Sequence, residues 1–460
     1  MYQIDFKKPC SVHFIGIGGI SMSGLAEILI SEGFKVSGSD MKSSELTEHL
    51  AKMGAKISYP QAADNIEDPD VVVYTAAIHP DNPEFRAALI KGIPMMPRAE
   101  LLGELMNNYE DAINVAGTHG KTTTTSMITE IFMEAKADPT VTVGGILDSI
   151  GGNIRVGGSK YFIAEACEYT NSFLSFFPTT AVVLNVEADH LDFFKDISDI
   201  RNSFRHFIGR LPQNERGLLI FNGDIEDPDF FLKGLKCRVV TFGHSEGNDL
   251  RAEDISYDSF ARPSYELILR GERKGRIELG VTGEHNVYNS LAAIAVALNA
   301  GIELDSVKRA LKRFSGTERR FQIKGEVRGF TIIDDYAHHP QEIEATLKAA
   351  KMYPHKKLWV IFQPHTYTRT KALMDDFAKA LSLADEVILA DIYAAREKNE
   401  VGVSSGDLAE KIRLSGGSVN YIRSFEEIED FVLKNVQEGD LLITMGAGDV
   451  VNIGEKLLSM

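Results

Sequence analysis

The chain has 460 residues, 44% hydrophobic and 25% charged, which fits a globular protein of about three domains with ample core. Its formal net charge of −17 argues against nucleic acid or an anionic membrane as partner, without excluding phosphates held by local donors. No run approaches the roughly 20 apolar residues of a spanning helix, no apolar stretch follows the first residues as in a secretory signal, and Cys10, Cys167 and Cys237 have no metal-binding spacing, so a reducing cytoplasm is expected.

The first predicted strand is Ser11-Val12-His13-Phe14-Ile15, followed at once by Gly16-Ile17-Gly18-Gly19. A helical pattern of Ile20, Met22, Leu25, Ala26, Ile28 and Leu29 comes next, then a strand from Phe34 to Gly38 that ends in Ser39-Asp40. A glycine turn between strand and helix, with an acidic residue about 20 positions on, is the pattern of a dinucleotide-binding unit. Ser21 stands where the third glycine would be, and taken alone the turn suits an NAD-dependent oxidoreductase. Further along, Val71 to Ile78 reads as a strand running into a loop, and Pro97-Arg98-Ala99-Glu100 precedes a helix.

A second glycine turn lies well downstream. Ala112-Ile113-Asn114-Val115 is strand-like, Gly117-Thr118-His119-Gly120-Lys121-Thr122-Thr123 follows, and Met127, Ile128, Ile131 and Phe132 give a helical period. This is the order of a phosphate-binding loop, with Val115 where the usual motif has its first glycine. Backbone N–H groups close around phosphates, the helix N-terminus adds partial positive charge, Lys121 reaches the terminal phosphates and Thr122 offers a hydroxyl to Mg²⁺. A dehydrogenase has no need of such a loop. Two more strands follow, one ending in Glu165-Ala166-Cys167-Glu168 and one, from Ala181 to Val186, ending in Glu187-Ala188-Asp189-His190-Leu191-Asp192. Polar residues at the carboxyl ends of parallel strands converge where a ligand sits. A carboxylate and an imidazole suit Mg²⁺, which keeps its other positions for water and phosphate.

Gly283-Glu284-His285-Asn286-Val287-Tyr288-Asn289 reads as a turn before a helix expected from Ser290 to Ala300. Gly316 and the paired cations Arg319 and Arg320 mark a hinge or phosphate clamp ahead of a third α/β region. Its strands end in polar loops: Asp334-Asp335-Tyr336-Ala337-His338-His339 before Pro340, Gln363-Pro364-His365-Thr366-Tyr367-Thr368-Arg369, and Gly446-Ala447-Gly448-Asp449.

The short loop Gly-Thr-His-Gly-Lys-Thr-Thr, the Asn-x-Glu-x-Asp-His-x-Asp segment and the Gly-Glu-His-Asn segment occur in the order found in the Mur ligases, which the chain resembles over nearly its whole length. These ATP-dependent amide ligases build the peptide stem of bacterial cell wall. The resemblance implies an α/β protein of three domains. Residues 1–108 would form a Rossmann-like domain for a UDP-sugar, and 109–316 a central P-loop ATPase-like domain. Residues 317–460 would form a Rossmann-like domain that binds the amino acid and closes over ATP.

It further implies that Gly16, Gly18, Gly19, Asp40, Thr75 and Arg98 hold the UDP-sugar, and that Gly117, Thr118, His119, Gly120, Lys121, Thr122 and Thr123 hold the ATP phosphates. The remaining ATP contacts would be His285, Asn286, Asn289, Asp335 and His338. Thr122, Glu168 and His190 would hold Mg²⁺, or Mn²⁺ in its place, and Lys121, Glu168, His190 and Arg320 would carry catalysis. His365 and Arg369 would hold the amino acid. The implied substrates are ATP, UDP-N-acetylmuramate and L-alanine, joined through an acyl phosphate. A ligase attaching murein tripeptide to the same nucleotide, and a non-catalytic sensor of UDP-sugar or ATP, share most of these motifs.

Overall fold

The computed structural model describes residues 2–75, 77–190, 193–395 and 397–460. Ala76, Leu191 and Asp192, named among the motifs above, lie outside the described residues. By contact density the chain groups into two compact units. One takes the chain up to Gly247 together with Ala292–Glu303, and the other takes Asn248–Leu291 with Leu304–Met460. Among the described residues the strands form three sheets and for the most part alternate with helices, the expected α/β architecture.

The first sheet holds five parallel strands in the order Lys56–Ser58, Lys35–Ser39, Ser11–Ile15, Val71–Tyr74, Met95–Pro97. Numbered along the chain this is 3-2-1-4-5, so the strand order reverses at Ser11–Ile15 and a crevice opens at its carboxyl end. Gly16 begins there. Val12, Phe14 and Ile15 are fully buried, as expected of a parallel strand covered on both faces.

In the same unit, the strand Asp111–Ala116 lies between Thr180–Val183 and Tyr161–Glu165, all parallel. Leu218–Asn222 and Arg238–Phe242 extend the sheet on one side, and Thr140–Leu147 with the antiparallel Gly152–Arg155 on the other. Val183 is opposite Ala116 and Glu165 opposite Val115, so the loops that leave these three strands emerge side by side at one end of the sheet. That register brings the phosphate loop, Glu168 and His190 together.

The two layers of this unit share one apolar core, from Phe14 and Leu25 to Phe162, Phe173 and Phe204. The helix Arg98–Met106 lies against the 3₁₀ segment Tyr169–Ser175 so closely that a Cβ on Gly103 would stand 2.0 Å from the Ser175 carbonyl oxygen. Only glycine fits there.

The second unit opens with an antiparallel meander, Leu250–Tyr257, Pro263–Leu269 and Glu272–Glu278. The helix expected from Ser290 starts earlier and runs His285–Asn299, so His285, Asn286 and Asn289 stand on its opening turns and not in a preceding loop. Asn286 Nδ2 donates to the Thr282 carbonyl and Asn289 Nδ2 to Asn286 Oδ1, a local network that lets residues of modest helix propensity begin a helix.

The third sheet runs Gln322–Val327, Phe330–Asp335, Leu441–Met445, Leu358–Phe362, Glu386–Leu389, Val419–Tyr421, with only the first strand antiparallel. The last four in this row keep the 4-1-2-3 arrangement of a Rossmann-like sheet, and Phe330–Asp335 extends it beyond Leu441–Met445. Leu358–Phe362 is buried at every position, with Val360 and Phe362 in one core layer and Trp359 and Ile361 in the other.

Candidate active site

The phosphate loop is built by the helix Lys121–Glu134 and the strand before it. Gly120 sits at φ 82°, in the left-handed region that glycine enters without a Cβ penalty, and there the chain turns into the helix. The loop is held from the neighbouring strand end. Asn185 accepts from the His119 N–H at 2.8 Å and donates to the His119 carbonyl at 3.1 Å. The Glu187 N–H donates to Thr118 Oγ1 at 2.9 Å, and the His119 ring stands 3.4 Å from the Glu187 carboxylate. Thr123 follows in the first helical turn.

Lys121 directs its ammonium to the carbonyls of Gly117 and Thr118, at 2.5 and 3.0 Å, and to the Glu168 carboxylate at 2.9 Å. Burial alone would pull the lysine pKa down. The Glu168 carboxylate beside it more than offsets this, so the amine stays charged above its ordinary range. Glu168 is only 2% exposed, and His190 Nε2 stands 3.6 Å from its other oxygen. The His190 ring also lies 4.6 Å from that of Tyr169. Thr122 is buried and its hydroxyl donates to Glu165 at 3.2 Å, while the Gly144 N–H donates to the other oxygen of that carboxylate at 2.5 Å.

Thus Lys121, Glu168 and His190 meet, Thr122 turns its hydroxyl to Glu165, and three carboxylates, Glu165, Glu168 and Glu187, face the loop instead of the one expected. Glu165, Asn185 and Glu187 were not among the expected site residues. Each stands in the polar strand-end segments of the sequence, which was the available signal. Among the described residues no group of three or more His, Cys, Asp or Glu side chains gathers as a metal cage. A hydroxyl, a carboxylate and an imidazole nevertheless suit an oxygen-seeking cation that takes its other ligands from phosphate and water.

A cleft of about 580 Å³ opens at the switch point of the first sheet, lined by Gly16, Gly18, Gly19, Asp40 and Thr75 among others. Five of the six expected sugar-nucleotide residues therefore share one wall system. Asp40 accepts the Gly18 N–H at 2.8 Å and so shapes the glycine turn itself. Arg98 stands apart from this lining, half-buried, donating to Ser21 Oγ at 2.9 Å, and burial lowers its pKa.

In the second unit, the paired arginines divide their work. Arg319 donates to Asp334 at 2.9 Å and to the carbonyls of Gly446 and Gly448, tying the ends of Phe330–Asp335 and Leu441–Met445 together. Arg320 lies over the Tyr336 ring and stands 3.9 Å from Glu342. Asp335 is pushed up to about 6 by burial, against the pull of Arg320 and of the backbone N–H groups of Ala337 and Phe321. His285 is pushed down to about 4 by burial and by Arg320. His338 is lowered by burial and hydrogen-bonds the Tyr336 carbonyl. His365 falls to about 4 through burial and its neighbours His338 and Arg369. Its ring stacks on Tyr393 at 5.6 Å, and Arg369 Nη1 stands 3.4 Å from its Nδ1. Both His285 and His365 are neutral imidazoles at pH 7.

Three models of Mur ligase domains match this chain in order: the Mur ligase family catalytic domain at residues 11–110, the Mur ligase middle domain at 115–297, and the domain described as Mur ligase, glutamate ligase at 319–448. The chain belongs to the Mur ligase family. It is 59% identical to the UDP-N-acetylmuramate–L-alanine ligase of Lachnospira eligens over the full length of both chains. It is 51% identical to the ligase of the same name from Caldanaerobacter subterraneus, over 99% of each. Among solved structures it resembles the UDP-N-acetylmuramate–alanine ligase of Thermotoga maritima, with a TM-score of 0.80, 32% identity and 98% of both chains covered. A murein peptide ligase from Psychrobacter arcticus gives a TM-score of 0.71 at 26% identity, again over 98% of each chain.

Proposed function

We propose that this chain is an ATP-dependent ligase that joins the amino group of L-alanine to the lactyl carboxylate of UDP-N-acetylmuramate, in the synthesis of peptidoglycan precursors. The observation that carries the reading is the convergence of three adjacent strand ends on one point, bearing Lys121 and Thr122, Glu168, and His190. The full-length likeness to ligases of that name supports the choice of substrates.

The chemistry follows from charge. A carboxylate has to approach a γ-phosphate, and both are anions, so cations fixed in advance must offset the repulsion. Lys121 would hold the terminal phosphates above the loop amides, and Arg320 would add a guanidinium. Thr122, Glu168 and His190 would hold Mg²⁺, or Mn²⁺ in its place, and the bound cation would supply further positive charge to the phosphate oxygens. His285, Asn286 and Asn289 offer hydrogen-bonding groups for the adenine, and Asp335 and His338 for the rest of the nucleotide. The glycine turn Gly16–Gly19, with no side chains in the way, would let the UDP pyrophosphate approach the N-terminus of the helix that begins at Ile20, with Asp40 and Thr75 beside it and Arg98 further off for the sugar. Arg369 would bind the amino-acid carboxylate as a planar fork, next to the neutral imidazole of His365.

Phosphate release with ATP and UDP-N-acetylmuramate, scanned over L-alanine, glycine, L-serine and murein tripeptide, tests this. L-Alanine is expected to give the highest kcat/KM. A preference for the tripeptide would assign the chain to the recycling reaction, and release that needs no amine would refute ligation altogether.

A further inference from the structure

The first domain buries a carboxylate that the chemistry above does not use. Glu84 is completely inaccessible to solvent, on the first turn of the helix Pro83–Lys91. A buried carboxylate is costly unless each oxygen is satisfied. Here Oε2 accepts from Ser39 Oγ at 2.5 Å and faces His13 Nε2 at 3.3 Å, while Oε1 accepts from Asn65 Nδ2 at 2.6 Å and the Ala62 N–H at 3.2 Å. His13 is itself buried, and its Nδ1 pairs with Ser37 Oγ at 2.9 Å. Burial alone would raise the Glu84 pKa, yet the hydrogen bonds from His13, Ser39 and Asn65 outweigh it and hold the group below its usual range.

What the network joins is more telling than its burial. The Ser39 carbonyl accepts the N–H groups of Gly16 and Ile17, at 2.9 and 3.0 Å, and so fixes the glycine turn. Ala62 and Asn65 belong to the loop that carries Gln61. Asn82 caps the helix by accepting the Glu84 and Phe85 N–H groups, and its Nδ2 donates to Gln61 Oε1 at 2.8 Å. Gly16, Gln61 and Asn82 all line the cleft. Three separate wall segments of the cleft thus hang on one carboxylate, with no side chain of the network among the reactive groups.

We propose that Glu84, backed by His13, is a positioning residue for the sugar-nucleotide cleft, setting the spacing between the glycine turn and the Gln61–Asn82 wall. This rests on the reading of that cleft as the UDP-N-acetylmuramate site. Replacing the carboxylate by an amide sets an NH₂ group among donors. With the NH₂ toward Asn65 and Ala62, the Ala62 N–H loses its acceptor; with it toward Ser39 and His13, both must turn from facing a carboxylate to accepting, and the anionic acceptor is lost to both walls in either orientation.

The test is steady-state kinetics and calorimetry with UDP-N-acetylmuramate on wild type, Glu84→Gln and Asn65→Ala, with thermal midpoints measured alongside. Glu84→Gln is expected to raise the KM and Kd for UDP-N-acetylmuramate about tenfold while kcat and the ATP KM stay within about twofold. Asn65→Ala, which leaves the buried carboxylate in place, should move the same constants in the same direction by less. Unchanged sugar-nucleotide affinity in folded Glu84→Gln overturns the proposal, as does an equal loss in kcat and ATP KM, which would mark a merely structural group. If Glu84→Gln does not fold, Asn65→Ala decides, and unchanged affinity there overturns it too. Wild type that fails to bind UDP-N-acetylmuramate refutes the substrate reading, and this proposal with it; binding by wild type with no effect in the variants refutes the positioning role alone.

Discussion

Lys121 is both the expected phosphate ligand and the counter-charge of a buried carboxylate, and those two roles separate in a mutant. Lys121→Ala should abolish turnover. It also strands Glu168, which is 2% exposed, and an uncompensated buried charge costs on the order of 3 kcal/mol. Adding Glu168→Gln to Lys121→Ala should therefore recover part of the lost thermal midpoint without restoring activity. Calorimetry on the single variant should still show UDP-N-acetylmuramate binding, because the cleft is built on the other glycine turn. Midpoints that fall equally in the single and double variants would show that the ion pair does not matter for stability.

Asp335 gives a prediction with a sign. Its pKa is about 6 in the folded chain and about 4 for an ordinary aspartate, so between those values the folded state binds more protons than the unfolded. Stability from this group is then greatest below about pH 4 and declines as pH rises to about 6. Asp335→Asn cannot titrate. Its midpoint relative to wild type should shift in the variant's favour between pH 4 and pH 7, whatever its offset at either end. A difference independent of pH would remove the burial argument for Asp335.

Among the elements, the two glycine turns and the strand-end segments were legible because their residue types are tied to a backbone demand. Gly120 answers a positive φ, and polar runs such as Glu165 to Glu168 cannot continue a buried strand. The start of the helix His285–Asn299 was misplaced because His, Asn and Tyr give no helical signal, and the hydrogen bonds that license them are visible only in three dimensions. Asn185 had no signature of its own as the loop's anchor, since any polar residue at a strand end reads alike. Gly103 was equally silent, standing inside a helix where glycine costs stability relative to alanine. Its reason is the Ser175 carbonyl 2.0 Å from where a Cβ would be. Gly103→Ala, a gain in helix propensity, is thus expected to destabilise by about 1–3 kcal/mol through overpacking against backbone. Denaturant unfolding checks the sign, and a more stable variant would mean that the helix can shift.

At the scale of the whole molecule, net charge and composition could exclude partner classes but not choose a reaction. The choice came from order: a glycine turn at a sheet switch point, then a phosphate loop flanked by two polar strand ends, then a third α/β sheet with histidines and arginines at its strand ends. The gathering of polar ends at one edge of each sheet follows from its parallel strands, whose carboxyl ends lie on the same side. The same topology does not select the amine, which on the proposed reading would be set by the side chains around His365 and Arg369 and not by strand order.

The proposed ligation requires ATP to activate the lactyl carboxylate as an acyl phosphate. UDP-N-acetylmuramate labelled with ¹⁸O in that carboxylate, turned over with ATP and L-alanine, tests it most directly. Transfer of the γ-phosphoryl group onto a carboxylate oxygen, followed by amine attack on the carbonyl carbon, expels phosphate carrying that oxygen. One ¹⁸O per amide formed should therefore appear in inorganic phosphate. Amide product accompanied by unlabelled phosphate, or label in AMP, would contradict it.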